Sequence, residues 1–232
     1  MSVWSRLGEI FSSATADAFS NLLEGARSVF SGDTLTRRQV SFSIAMVALS
    51  AKMAKADGIV TSEEIDAFRD IFQIPDDQAG NVSRLYNLAK QDVAGYESYA
   101  RQVKDLFPDD EVILEYVLDG LFHIAKADGV IHEMEQGFLD RIAEIFVIAP
   151  AHYRRIKLRH VEAGAGDAYL QLDASSSWDD ETLKQHFRTL VKDNHPDRLI
   201  ARGVPEEFIA IANERLAAIN AAWETVRAER GI

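Results

Sequence analysis

An internal repeat limits this chain more than any other feature of its sequence. Ala51-Lys52-Met53-Ala54-Lys55-Ala56-Asp57-Gly58-Ile59-Val60 precedes Thr61-Ser62-Glu63-Glu64-Ile65 and Phe68. The pattern returns, 71 residues on, as Phe122-His123-Ile124-Ala125-Lys126-Ala127-Asp128-Gly129-Val130-Ile131 before His132-Glu133-Met134-Glu135-Gln136 and Leu139. Each copy predicts helix, Asp-Gly turn, helix. Gly58 and Gly129 suit the left-handed conformation that ends a helix. Thr61 with Glu64 makes a capping box for the next helix. His132 replaces Thr61 in the second copy, so that box is expected to be lost there. One such hairpin cannot bury its apolar face alone, so the two copies are expected to pack together.

Composition points the same way. Apolar residues make up 47% of the chain and only five are proline. With Ala, Leu, Glu and Arg prominent, the expected fold class is all-α. A net charge of −12 argues against nucleic acid as a partner of the whole chain. The absence of cysteine removes disulfides, iron–sulfur clusters, thiolate zinc sites and cysteine nucleophiles together, and fits a reducing compartment. The most apolar stretch, Gln39 to Ala51, stops at Lys52, short of the roughly 20 residues that span a bilayer. Arg6, Glu9, Asp17, Glu24 and Arg27 leave no secretory hydrophobic block in the first thirty residues. The expected location is cytoplasmic, with the periphery of the inner membrane as the alternative.

Four segments are expected. Residues 1–33 form an N-terminal amphipathic helix, with Trp4, Leu7, Phe11, Ala14, Ala18, Leu22, Ala26 and Val29 at three- and four-residue spacing. Residues 3–30 are expected to pack within the chain or to self-associate. Peripheral membrane contact is the lesser alternative, because interfacial helices usually carry a Lys/Arg-rich polar face. Residues 34–160 hold the repeat. Residues 161–166, Val-Glu-Ala-Gly-Ala-Gly, read as a flexible linker to a final domain over 167–232. Just before the linker, His152, Arg154, Arg155, Lys157, Arg159 and His160 make a basic cluster, expected to be solvated.

The final segment is dense with signals. Asp167 to Leu172 predicts a short helix, and Ser175 to Glu181 supplies capping groups for a longer one. There Leu183, Phe187, Leu190 and Val191 share one face while Lys184, Arg188 and Lys192 stack along another at spacings of four. The run ends at Asn194-His195-Pro196-Asp197, where Pro196 forces a turn. A loop through Arg202-Gly203-Val204-Pro205 leads to a last helix. Its Ile209, Ala212, Leu216, Ile219, Trp223 and Val226 are expected to pack against the Leu183 face as an antiparallel hairpin.

The repeated Lys-Ala-Asp-Gly pattern resembles the TerB-like domain named for tellurite resistance. That resemblance implies a helical domain whose clustered acidic residues hold a divalent metal in some members. The ligands here would be Asp57, Glu64, Asp128 and Glu135, beside Glu63 and Glu133. The spacing is not that of an EF-hand loop, and first-turn carboxylates are also favoured simply by the helix dipole.

The His195-Pro196-Asp197 tripeptide lies between a basic helix and an Ala/Glu/Arg-rich helix, and with Tyr169, Leu172 and Ala217 to Trp223 it resembles the J domain of DnaJ-type proteins. A TerB-like domain followed by a terminal J domain resembles the DjlA group. The resemblance implies a DnaK-type Hsp70 as partner and a co-chaperone that stimulates its ATP hydrolysis. It makes His195, Pro196 and Asp197 the triggering loop and Lys184, Arg188, Lys192 and Arg198 the docking charges. The TerB-like domain would specify client or location, the clients being unknown.

The chain departs from the family pattern at Phe187 and Trp223, where Tyr is usual, and at Asp173, where Gly usually follows the first helix. No Gly/Phe-rich segment or Cys-x-x-Cys region is present. The chain is not expected to be an enzyme or to need a cofactor: no nucleophile accompanies His195 and Asp197, and no Gly-rich phosphate loop exists. A metal- or stress-responsive helical scaffold with a vestigial J domain is the alternative function.

Overall fold

A computed structural model describes residues 3–4, 34–55, 62–89, 95–161 and 168–232. Asp57, Gly58, Thr61, residues 162–166 of the linker and all of the N-terminal segment except Val3 and Trp4 lie outside the described residues. Every described element is helical, so the all-α expectation is met. The helices are α1 Thr34–Ala54, α2 Ser62–Phe72, α3 Ala79–Ala89, α4 Tyr96–Leu106, α5 Glu111–Ala125 and α6 Glu133–Phe146. They continue as α7 Pro150–Val161, α8 Ala168–Gln171, α9 Asp180–Asp193, α10 Pro196–Arg202 and α11 Ile209–Arg230, with a 3₁₀ turn at Glu206–Phe208.

Helix α1 is the axis of the main core. From Val40 to Ala54 every residue is buried, as expected of a helix that is apolar nearly all round. Even Lys52 is covered, its ammonium lying 5.7 Å from the Tyr99 ring centre. Helices α3, α4, α5 and α6 pack around α1, and α2 lies against α5. The two hairpins of the repeat therefore share one core. Gly129 takes the left-handed conformation with φ +95°. In the second copy the capping box is kept rather than lost: the Glu135 carboxylate accepts the His132 backbone N–H at 2.9 Å.

Trp4 is fully buried, and its indole N–H donates to the Phe72 carbonyl at 3.1 Å. It stacks on Phe208, which also meets Phe42 and Phe72. Phe208 belongs to the terminal segment, so this aromatic cluster ties the two ends of the chain together.

The last helix differs from expectation. Only its C-terminal half serves the small second core of Tyr169, Leu172, Leu183, Ile219, Ala222, Trp223 and Val226. Ile211 and Ala212, with Leu199, Val204 and Phe208, belong to the main core. The reason lies in α5, where Gly120 leaves room for α11: a Cβ there would sit 2.5 Å from Ile211 Cδ1. The pairing of α9 with α11 is antiparallel, since Arg230 reaches Asp180 at one end while Phe187 stacks on Trp223 nearer the middle.

Candidate functional site

Helix α9 begins at Asp179, whose carboxylate accepts the Thr182 N–H at 2.7 Å. Asp180 and Glu181 follow in the first turn, where the helix dipole favours negative charge. Leu183 is buried, and Phe187, Leu190 and Val191 pack beside it. The Phe187 and Trp223 rings stack with centres 4.5 Å apart and an interplanar angle of 8°. The two departures from the usual Tyr thus form one contact. Burying this face turns Lys184, Arg188 and Lys192 outward. Arg188 and Lys192 are exposed, and the half-exposed Lys184 lies 3.8 Å from Glu181.

At the end of α9 the chain turns and at once starts another helix. The sequence suggested a loop from His195 to Pro205; residues 196–202 are helical instead. Pro196 occupies the first helical position, where its missing N–H costs nothing. His195 is the N-cap, its Nδ1 accepting the Asp197 N–H at 3.2 Å. Both His195 and Asp197 remain exposed. Arg198 is not turned to solvent like Arg188 and Lys192, because its guanidinium bonds the Asp193 carboxylate and the Lys192 carbonyl. It closes the corner between α9 and α10.

The back of this corner is sunk in the repeat domain. Asn194 is buried at the end of α9, and the Tyr116 hydroxyl of α5 donates to its side-chain oxygen at 3.0 Å, with its carbonyl at 3.2 Å. Arg202 pairs with Asp110, and Arg38 donates to the Arg202 carbonyl at 3.1 Å. The Arg38 side chain lies where a Cβ on Gly203, at φ +106°, would fall.

Beside Tyr116 lies a buried ion network. Glu115 and Asp119 of α5 meet Arg155, Arg159, His152 and His160 of α7 and Arg215 of α11. The basic cluster expected to be solvated is thus largely internal, because two carboxylates one helical turn apart on α5 match two arginines one turn apart on α7. Only Arg154 of its arginines is exposed. Burial alone would raise the Glu115 carboxyl, but the hydrogen bond from His152 and the charges of Arg215 and Arg155 outweigh it and hold it at about 2. Asp119 is lowered too, Arg159 and His160 overcoming its burial. The hydrogen bond to Glu115 raises His152, and the one to Glu214 raises His123.

Sequence reasoning missed Tyr116, Asn194 and Arg215. The matched four-residue charge spacing on α5 and α7 was the available signal for their surroundings.

Among the described residues, the proposed metal ligands Glu64, Asp128 and Glu135 do not form a group with metal-ligand spacing. Asp57 lies outside the described residues. Glu64 and Glu135 are buried, and Glu135 is engaged by the His132 N–H. Asp128 accepts the Val130 N–H at 3.0 Å and faces His132 Nε2 at 3.4 Å. Asp128 and Glu135 thus serve a turn and a helix cap. Among the described residues Glu111, Glu115 and His152 do have metal-ligand spacing. Arg155 and Arg215 already share Glu115 there, a donor set that does not fit a cation.

A helical repeat with an appended hairpin defines the class. Residues 43–158 match the family described as "Tellurite resistance protein TerB", and the chain belongs to that family. Beyond that domain it is similar to proteins named "Co-chaperone protein DjlA". The one from Aliivibrio fischeri is 28% identical over 87% of this chain and 83% of its own length. Those from Photobacterium profundum and Coxiella burnetii are each 26% identical, over 84% and 78% of this chain and 79% and 74% of their own lengths. The DjlA-type resemblance read from the sequence is thereby borne out. No solved structure matches the chain. Among the described residues no helix is long and apolar enough to cross a membrane.

Proposed function

We propose that the chain is a co-chaperone that docks on a DnaK-type Hsp70 through the outer face of α9 and stimulates its ATP hydrolysis through His195-Pro196-Asp197. One observation carries this reading: the cationic stripe and the His-Pro-Asp corner stand open to solvent while the opposite side of the same hairpin is buried. The curated relatives, co-chaperones by name, support it.

Arg188 and Lys192 supply steering toward an acidic patch, an interaction that weakens with salt. Lys184 is a secondary contact, and Arg198 acts by holding the corner rather than by docking. Pro196 at the head of α10 fixes the backbone, so that His195 and Asp197 lose little freedom on binding. The ATPase chemistry belongs to the partner. The hairpin from 167 to 232 is the module the partner reads, and the TerB domain over 34–160 specifies client or location.

Association of the full chain with ATP-loaded DnaK-type Hsp70, followed at rising ionic strength, tests the docking face. The on-rate is expected to fall with salt and to fall further for Arg188→Glu. A rate unaffected by both would contradict the assignment.

A further inference from the structure

The trigger of the proposed activity is not held by its own hairpin alone. Asn194, immediately before His195, ends α9 with only 1% of its surface exposed. Its backbone N–H and its side-chain amide both donate to the Leu190 carbonyl, at 3.0 and 2.7 Å. That leaves its side-chain oxygen needing a donor inside the protein, and the donor comes from α5, 78 residues away: the Tyr116 hydroxyl, at 3.0 Å.

Tyr116 is itself fixed. It is buried, and the Arg215 guanidinium lies 4.6 Å from its ring centre. Burial pushes its phenol well above the ordinary value, so the hydroxyl keeps its proton and remains a donor. The next residue along the chain, His195, has no comparable anchor in front. It is exposed, and its Nδ1 is occupied by the Asp197 N–H. The direction in which His195 leaves the end of α9 is therefore set from behind through Asn194, beside the Arg198 contacts that close the corner.

We propose that Tyr116 is a positioning residue for the His-Pro-Asp loop, so that the TerB domain pre-orients the Hsp70 trigger as well as carrying it. This rests on the co-chaperone reading. A buried hydrogen bond lost at the hinge of a loop loosens the loop without altering the charged face that finds the partner. Pre-organisation and encounter are consequently separable here.

The test uses the full chain and Tyr116→Phe, which keeps the ring over Arg215 and removes one hydroxyl. Single-turnover ATP hydrolysis by a DnaK-type Hsp70 is measured over a range of chain concentrations. Maximal stimulation is expected to fall by about threefold to tenfold, the scale of one net hydrogen bond. The half-saturating concentration is expected to stay within about twofold, since Arg188 and Lys192 are untouched.

A second readout does not depend on Hsp70: amide hydrogen exchange over residues 194–198 is expected to speed up in Tyr116→Phe while exchange in α1 is unchanged. Wild-type stimulation and wild-type exchange in Tyr116→Phe would overturn the inference. Faster exchange at 194–198 in a chain whose wild type gives no stimulation would overturn the co-chaperone reading and retain the structural coupling.

Discussion

Asp173 holds a left-handed backbone, φ +54°, and its carboxylate lies 3.2 Å from Arg155 Nη1 across the join between hairpin and repeat domain. The same carboxylate is 3.4 Å from His152 Nε2. At the position where related hairpins favour glycine, this chain keeps a strained side chain that reaches the repeat domain. Asp173→Gly removes about 1 kcal/mol of backbone strain and also removes two partly exposed ion pairs of about the same combined worth. The melting temperature is expected to change little, whereas Asp173→Ala, which retains the strain and loses the pairs, is expected to destabilise by about 1 kcal/mol. Equal effects of the two substitutions in denaturant unfolding would contradict this account.

Glu115 is the hub of the buried network, accepting from Arg155, Arg215 and His152. Glu115→Gln removes the buried charge that Arg155 and Arg215 share, leaving them only Asp173 and Asp119, and is expected to cost about 3 kcal/mol. Arg215→Met is expected to cost less, because Arg155 and Arg159 still cover the two carboxylates. The double variant is expected to lose less than the sum, and additivity in that cycle would show that the residues do not interact.

Stability should depend on pH on both sides of neutrality. Glu115 is lowered to about 2 from 4.5, so its contribution is complete above 4.5 and is lost as pH falls toward 2. His152 and His123 are raised above 6.5, so their contribution is complete below 6.5 and is lost as pH rises through their folded values. Thermal unfolding is expected to show its highest midpoint between 4.5 and 6.5 on these groups alone. The alkaline fall is expected to shrink in His152→Gln. An unchanged alkaline limb in that variant would remove His152 from the account.

The outward cations behave differently. Arg188→Ala and Lys192→Ala are expected to leave stability within about 0.5 kcal/mol of wild type, since both are exposed and unburdened by packing. Each is expected to slow association with Hsp70 and to reduce its salt dependence, as stopped-flow binding would report.

Much of this was legible in the chain itself. The repeat announced two hairpins sharing a core, and apolar spacing located α9 and α11. Helix α10 is hidden in the sequence because Pro196 ends one helix and is equally a first-turn residue of the next. The division of α11 between two cores could not be read from its stripe, since Ile211 and Ile219 look alike in sequence and only the space over Gly120 separates their roles. The basic cluster on α7 was misread for a related reason. A charge run is usually solvated, and what overrode the usual outcome was the matching spacing of Glu115 and Asp119 on another helix. Tyr116 and Asn194 gave no sequence signal, because their pairing is a product of tertiary packing.

Single-turnover ATP hydrolysis by a DnaK-type Hsp70 tests most directly whether the His195-Pro196-Asp197 corner switches that partner. The wild-type chain is expected to accelerate hydrolysis. His195→Gln, altered at an exposed side chain, is expected to keep the fold by thermal unfolding and to lose the acceleration. Equal acceleration by His195→Gln, or none by the folded wild type, would contradict the claim.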